Sequence, residues 1–216
     1  MNNMETPKKL TDRKREAIVQ AATALFQQHG FDGISMDKVA EAAEVSKRTL
    51  YNHFPSKEEL FAHCCRVAWP GGESPLVPYQ PGRPLREQLT EFVEQKLAQL
   101  SDDNLLALAR VAMMSMLQSS ERARDLHQRM GELDVETLKW VCAAHNDGVL
   151  HDCRPGLAAL LLDSLITGMG LWPQVSMRRG KLTPDEQRQI AAEIVAMFMS
   201  RYAPAKAATA HKRKSR

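Results

Sequence analysis

The stretch ISMDKVAEAAEVSKRTLYNHFPSKEEL, residues 34–60, decides the fold. Ser35 can cap a short helix whose apolar positions are Met36, Val39, Ala40 and Ala43. Ser46 opens a second, Lys47 to Phe54, which Pro55 breaks. Ser56-Lys57-Glu58-Glu59 then forms a capping box for a longer helix reaching about Trp69. Upstream, Thr11 starts a helix with Ile18, Ala21, Ala22, Leu25 and Phe26 on one side, and Gly30 stops it. Two short helices around the turn Ala43-Glu44-Val45-Ser46, between two longer ones, predict a helix-turn-helix.

The second short helix is divided by chemistry. Val45, Leu50 and Phe54 supply an apolar inner face, while Lys47, Arg48, Thr49, Tyr51, Asn52 and His53 crowd the rest with hydrogen-bonding groups. A helix anchored on one side and polar on the other suits the major groove of DNA, where its outer face meets base edges. Together with Ala21-Ala22, Leu25-Phe26 and Gly30-Phe31 ahead of it, the quoted run resembles the TetR/AcrR family of transcriptional regulators over about the first 65 residues.

The resemblance implies a role for each matching position. Lys47, Arg48 and Thr49 would read bases, Asn52 would face the groove beside them, and Tyr51 and His53 would bond phosphates at its edge. Lys57 and Ser35 would hold further phosphates near helix N-termini, with Lys8, Lys9, Arg13 and Lys14 adding nonspecific grip. Glu44 departs from the family pattern, which commonly has glycine in the turn. A left-handed Glu44 would cost on the order of 1 kcal/mol and bring a carboxylate near the DNA side.

Pro70 to Pro84 is rich in proline and glycine and reads as a loop. Beyond it, helices are predicted at 85–100, 103–118, 121–146, 155–173 and 184–202, giving an all-α fold of about nine helices. The expected organisation is a three-helix DNA-binding domain over 1–55 and a larger helical domain over 56–203 that binds an effector and dimerises. The helix 56–69 connects the two, and a basic, disordered tail follows at 204–216. The resemblance implies a homodimeric repressor, released from a pseudo-palindromic operator on double-stranded DNA by a small effector. Leu157, Leu161, Leu165, Gly168 and Trp172 form one apolar stripe, and Ile190, Ile194, Met197 and Phe198 another; both are candidates for the dimer interface. Phe92, Met113, Met114, Met116, Leu117, Trp140, Val141, Leu165 and Met169 are candidates for the lining of an effector pocket. Few charges interrupt these segments, so an apolar or aromatic effector with a polar anchor is expected.

Other classes are disfavoured. The net charge of +3 is smaller than the surplus of the tail, which holds Lys206, Lys212, Arg213, Lys214 and Arg216 and no acid. Bulk charge is therefore no argument for nucleic acid, and the local pattern must carry it. Cys64, Cys65, Cys142 and Cys153 show no CxxC spacing, so neither a disulfide framework nor a metal site is expected. An alternative is a thiol- or metal-responsive regulator using the same DNA module, through His63-Cys64-Cys65 with Cys142, His145 or Cys153. Adjacent residues on a helix point about 100° apart, which argues against one ion held by all three. His151-Asp152 lacks a partnered nucleophile, and no glycine-rich phosphate loop is present, so an enzyme is not expected and no cofactor is implied. No apolar run reads as long enough to cross a bilayer and no secretory signal opens the chain, so a cytoplasmic protein without a membrane partner is the expectation.

Overall fold

A computed structural model describes residues 10–69, 75–130 and 135–203. Among these every regular element is a helix. The elements are α1 (Leu10–His29), α2 (Met36–Ala42), α3 (Lys47–His53), α4 (Lys57–Ala68), α5 (Leu85–Leu100), α6 (Asp103–Gln118), α7 (Ser120–Met130), α8 (Val135–Asn146), α9 (Pro155–Gly170), α10 (Trp172–Val175) and α11 (Pro184–Tyr202). The caps read from sequence are in place: the side chains of Ser35, Ser46 and Ser56 accept from the backbone N–H of Lys38, Thr49 and Glu59. Asp102 caps α6, and Thr183 with Glu186 completes a capping box on α11.

Two helix boundaries are corrected. The helix expected over 121–146 is two helices, α7 and α8, and the one expected over 155–173 ends at Gly170 before the short α10. The stretch Pro155–Val175 is also long and apolar enough by composition to span a membrane, contrary to the sequence reading. Within it the helix ends at Gly170, and Asp163 is buried against Lys96.

The contacts divide the chain into two compact units. The first comprises Met1–Pro75, Ser101–Leu133 and Val175–Arg178, so α6 and α7 group with the helices of the N-terminal region. The boundary expected after residue 55 does not coincide with this division. The core of this unit joins Ile18, Ala22 and Phe26 of α1 to Val39 and Ala40 of α2, Leu50 of α3, Leu60 and Phe61 of α4, and Leu108, Ala112 and Leu126 of α6 and α7. Phe61 packs edge-on to Phe26 at 4.8 Å and tilted to Phe31 at 5.2 Å. The second unit, Leu76–Leu100, Asp134–Gln174 and Arg179–Arg216, packs α11 against α5 and α9, and α8 against α9. The tail 204–216 and residues Lys8 and Lys9 lie outside the described residues.

The loop from α1 to α2 depends on glycine. Gly30 has φ of +72° and closes α1 by donating its N–H to the Phe26 carbonyl at 2.9 Å. At Gly33 a Cβ would lie 2.4 Å from the His29 carbonyl oxygen, closer than any side chain permits.

Candidate DNA-binding interface

The placement of α3 follows from two buried anchors. Leu50 and Phe54, one turn apart, are 0% and 1% exposed. Val45 is half-buried ahead of them, so the inner face is the one read from the sequence. The rest of the helix stays open: Lys47, Arg48, Tyr51 and Asn52 are exposed, with Tyr51 at 48%, and Thr49 and His53 are half-buried. The Ser46 hydroxyl accepts from the Thr49 N–H at 3.1 Å and lies 2.8 Å from the Thr49 hydroxyl, fixing the start of the helix. Arg48 has no charged or polar partner among the described residues, so its guanidinium is available.

Lys47 is not free in the same way. Its ammonium pairs with Asp37 of α2 at 2.6 Å, both side chains being mostly exposed. A phosphate or base contact by Lys47 competes with that pair. Ser35 is exposed at the start of α2, with its hydroxyl engaged by the Lys38 N–H at 3.3 Å.

Lys57 also has partners inside the protein. Its Nζ donates to the carbonyls of Phe31 at 3.0 Å and Ile34 at 3.1 Å, and lies 4.4 Å from the centre of the Phe31 ring. Its four-carbon stem carries the ammonium to carbonyls that no helix satisfies, so Lys57 secures the α1–α2 loop, and a phosphate contact would have to use its third N–H or compete with these two bonds. Glu44 adopts φ of +53°, the left-handed conformation that the family's usual glycine accommodates without strain.

Three supporting contacts could not be anticipated from sequence, because each joins distant residues. Asp37 restrains Lys47. Arg122 of α7 pairs with Asp32 at 2.9 Å, within the loop that leads into α2. Arg15 of α1 lies 4.8 Å from the Phe54 ring centre, and its Nη2 is 3.3 Å from each ring nitrogen of His63. Burial, with Arg15 and Arg66 adding to it and Glu59 opposing, lowers the His63 pKa to about 4, so the ring is neutral near pH 7.

The thiols give the alternative reading no support. Cys64 and Cys65 are buried, and burial pushes their pKa values up to about 11 and about 12, which suppresses the reactive thiolate. Cys142 and Cys153 are half-buried, and burial and the nearby Cys142 raise the Cys153 thiol as well. Among the described residues no three His, Cys, Asp or Glu side chains converge as metal ligands.

The pocket candidates fall into two groups. Met113, Met114, Met116 and Leu117 lie on α6 in the first unit, where Met114 and Leu117 are exposed and Met114 borders a cleft with Arg110, Val111 and Ser115. Phe92, Trp140 and Val141 are buried in the second unit, Leu165 is half-buried there, and Met169 is exposed. The interface candidates divide too. Leu157, Leu161, Gly168 and Trp172 are exposed, as is Met197. Ile190, Ile194 and Phe198 are buried inside the unit, so they are core residues and not a surface for a partner. A helix apolar on more than one side gives no periodic sign of which side its own domain covers.

Comparison with known proteins agrees with this architecture. The family description "Bacterial regulatory proteins, tetR family" matches residues 18–64, and "AefR-like transcriptional repressor, C-terminal domain" matches residues 87–204. The transcriptional regulator RutR of Escherichia coli O157:H7 is 32% identical over 133 residues, covering 59% of this chain and 62% of the relative. The chain thus spans under two thirds of that relative's length. A TetR family regulator from Pseudomonas syringae pv. tomato superposes with a TM-score of 0.72 at 43% identity, covering 91% of this chain and all of that one. The flavonoid-responsive regulator FrrA superposes with a TM-score of 0.70 at 28% identity, covering 89% of this chain and 98% of its own. With helix-turn-helix and C-terminal domain both matched, the chain belongs to the TetR family of transcriptional regulators.

Proposed function

We propose that the protein is a homodimeric repressor that occupies a pseudo-palindromic operator and leaves it when a small, largely aromatic effector binds. The observation that carries the DNA reading is the exposed guanidinium of Arg48, without a partner among the described residues, on a helix whose opposite side is fixed by Leu50 and Phe54. Arginine meets guanine O6 and N7 through two parallel bonds, and Thr49 can meet a thymine methyl. Tyr51 and Asn52, exposed on the same helix, and the half-buried His53 supply phosphate and groove contacts; Lys47 joins them once its pair with Asp37 opens. Exposed apolar residues on α9 and α11 support pairing with a second copy, and two-fold pairing yields an operator of two half-sites. The structural likeness to a flavonoid-responsive regulator supports an aromatic effector.

Selection by the full chain from a pool of randomised duplexes tests this reading. A pseudo-palindrome should be returned, bound with a steep salt dependence. Arg48→Ala should cost about 1–3 kcal/mol on that sequence and relax the preference at one base pair per half-site. Recovery of no preferred duplex, or an unaltered preference in the variant, defeats the proposal.

A further inference from the structure

Buried polar side chains in the second unit serve different ends. Gln88 donates to the carbonyls of Gln80 and Arg83 at 3.2 and 3.0 Å, and Gln174 accepts from the Leu182 N–H at 2.9 Å; each ties a loop to a helix. Lys96, Thr137 and Asp163 instead come from three helices, α5, α8 and α9. The Thr137 hydroxyl donates to Asp163 at 2.8 Å, and the Lys96 ammonium donates to Thr137 at 2.8 Å and to Asp163. All three are less than 5% exposed. Burying such a pair contributes little net stability, so its presence in a core asks for another explanation.

The neighbouring layer supplies one. One turn from Lys96 and Thr137, respectively, Phe92 of α5 and Trp140 of α8 meet with ring centres 5.5 Å apart and planes inclined by 37°. Tyr79 packs edge-on to Trp140 at 5.4 Å. Trp140 is 2% exposed, and its indole Nε1–H has no acceptor among the described residues. An unmet donor in such a setting is costly, and native cores rarely keep one. An aromatic layer with an unmatched donor, bordered by a buried ion pair, has the makings of an amphipathic recognition site.

We propose that the seam between α5 and α8 receives the effector, and that the effector is a planar aromatic compound whose oxygen acceptor takes the Trp140 Nε1–H. Its ring lies against Phe92 and Tyr79, and its oxygenated edge faces the layer of Lys96, Thr137 and Asp163. A hydrocarbon of the same shape leaves the indole donor unmet, so the site discriminates by that bond. Entry parts Phe92 from Trp140, and occupancy thereby favours a conformation with α8 displaced from α5, the differential binding that release from DNA requires. The inference rests on the effector-released reading above.

The test uses the full chain and two flat probes of nearly identical shape, xanthone, which carries a carbonyl acceptor, and xanthene, which does not. Xanthone should bind about tenfold more tightly than xanthene, the worth of one such bond. Trp140→Phe, which keeps a ring and removes the donor, should abolish the difference while the variant still binds the selected duplex. In Trp69→Phe/Trp172→Phe protein, where Trp140 is the remaining tryptophan, xanthone and not xanthene should change the indole emission. Equal binding of the two probes, binding of neither, or a preference that survives Trp140→Phe overturns the proposal. Loss of duplex binding by the wild type would instead strike the regulatory reading itself.

Discussion

At the scale of single residues, Glu44 and His63 show local cost accepted near the reading helix. Glu44 holds φ of +53° in the turn between α2 and α3, where a Cβ crowds the following carbonyl. Glu44→Gly should raise stability by about 0.5 kcal/mol in urea unfolding, since relief of the left-handed strain exceeds glycine's extra chain entropy. An unchanged or lower midpoint would show that the turn is not strained. His63 makes stability depend on pH. Its folded pKa, about 4, lies below the unfolded value of about 6.5, so the unfolded chain takes up the proton first. The stabilisation is therefore whole above about pH 6.5 and drains away as pH falls towards 4. Unfolding midpoints across that range should fall less steeply for His63→Gln than for the wild type; parallel curves would remove His63 from the account. The left-handed turn could be anticipated from Glu44 standing where the family has glycine. The perturbed histidine could not, since Arg15 meets it from 48 positions away.

At the scale of elements, what could be read from sequence was what short-range chemistry determines. Ser35, Ser46 and Ser56 announced three helices because a cap bonds only to its own first turn. The inner face of α3 could be read because so short a helix has one buried side. The division of α7 from α8 was missed, although the polar run SERARDLHQRM gives way to the apolar VETLKWVCAAHN. The position of Lys57 in the first turn of α4 suits a phosphate contact, but its bonds to the carbonyls of Phe31 and Ile34 are set by tertiary packing and could not be read from sequence. The tie among α5, α8 and α9 was likewise out of reach, because nothing in the spacing of Lys96, Thr137 and Asp163 says that they meet. Its energetics can be tested by a double-mutant cycle. Lys96→Met or Asp163→Leu alone strands a buried charge and should cost about 3–5 kcal/mol. The double variant replaces the pair with apolar side chains of similar size and should recover most of that loss, leaving the Thr137 hydroxyl to the carbonyls of its own helix. If the two losses simply add, the pair is not acting as a unit.

At the scale of the molecule, the unresolved economy of the second unit is its outer surface. On α9 the positions 158, 159, 162, 163, 166 and 170 are buried, while Leu157, Leu160, Leu161, Ser164 and Gly168 are exposed along the opposite side, with Leu160 at 62%. Their three- and four-residue spacing makes one continuous stripe. On α11, Ala192, Ala196, Met197 and Ser200 are exposed opposite the buried Ile190, Ile194 and Phe198, with Met197 at 55%. Large apolar side chains in a row are unusual on a surface that meets only water, and small residues beside them allow another helix to come close. In the homodimer proposed above, a two-fold partner would place each stripe against its own copy, so a single substitution would act twice. Leu161→Glu should therefore set like charges against each other in a desolvated contact and shift the protein from dimer to monomer in sedimentation equilibrium. The folded protomer should keep its helical signal, because Leu161 is not part of the core. Binding to a duplex with two half-sites should weaken sharply in the monomer, whereas a single half-site should be held as well as by wild-type protein. Each reading helix docks through its own Leu50 and Phe54, so the loss belongs to the linkage between half-sites and not to the contacts within one. A variant that remains dimeric, with both duplexes bound as before, would move the pairing surface elsewhere.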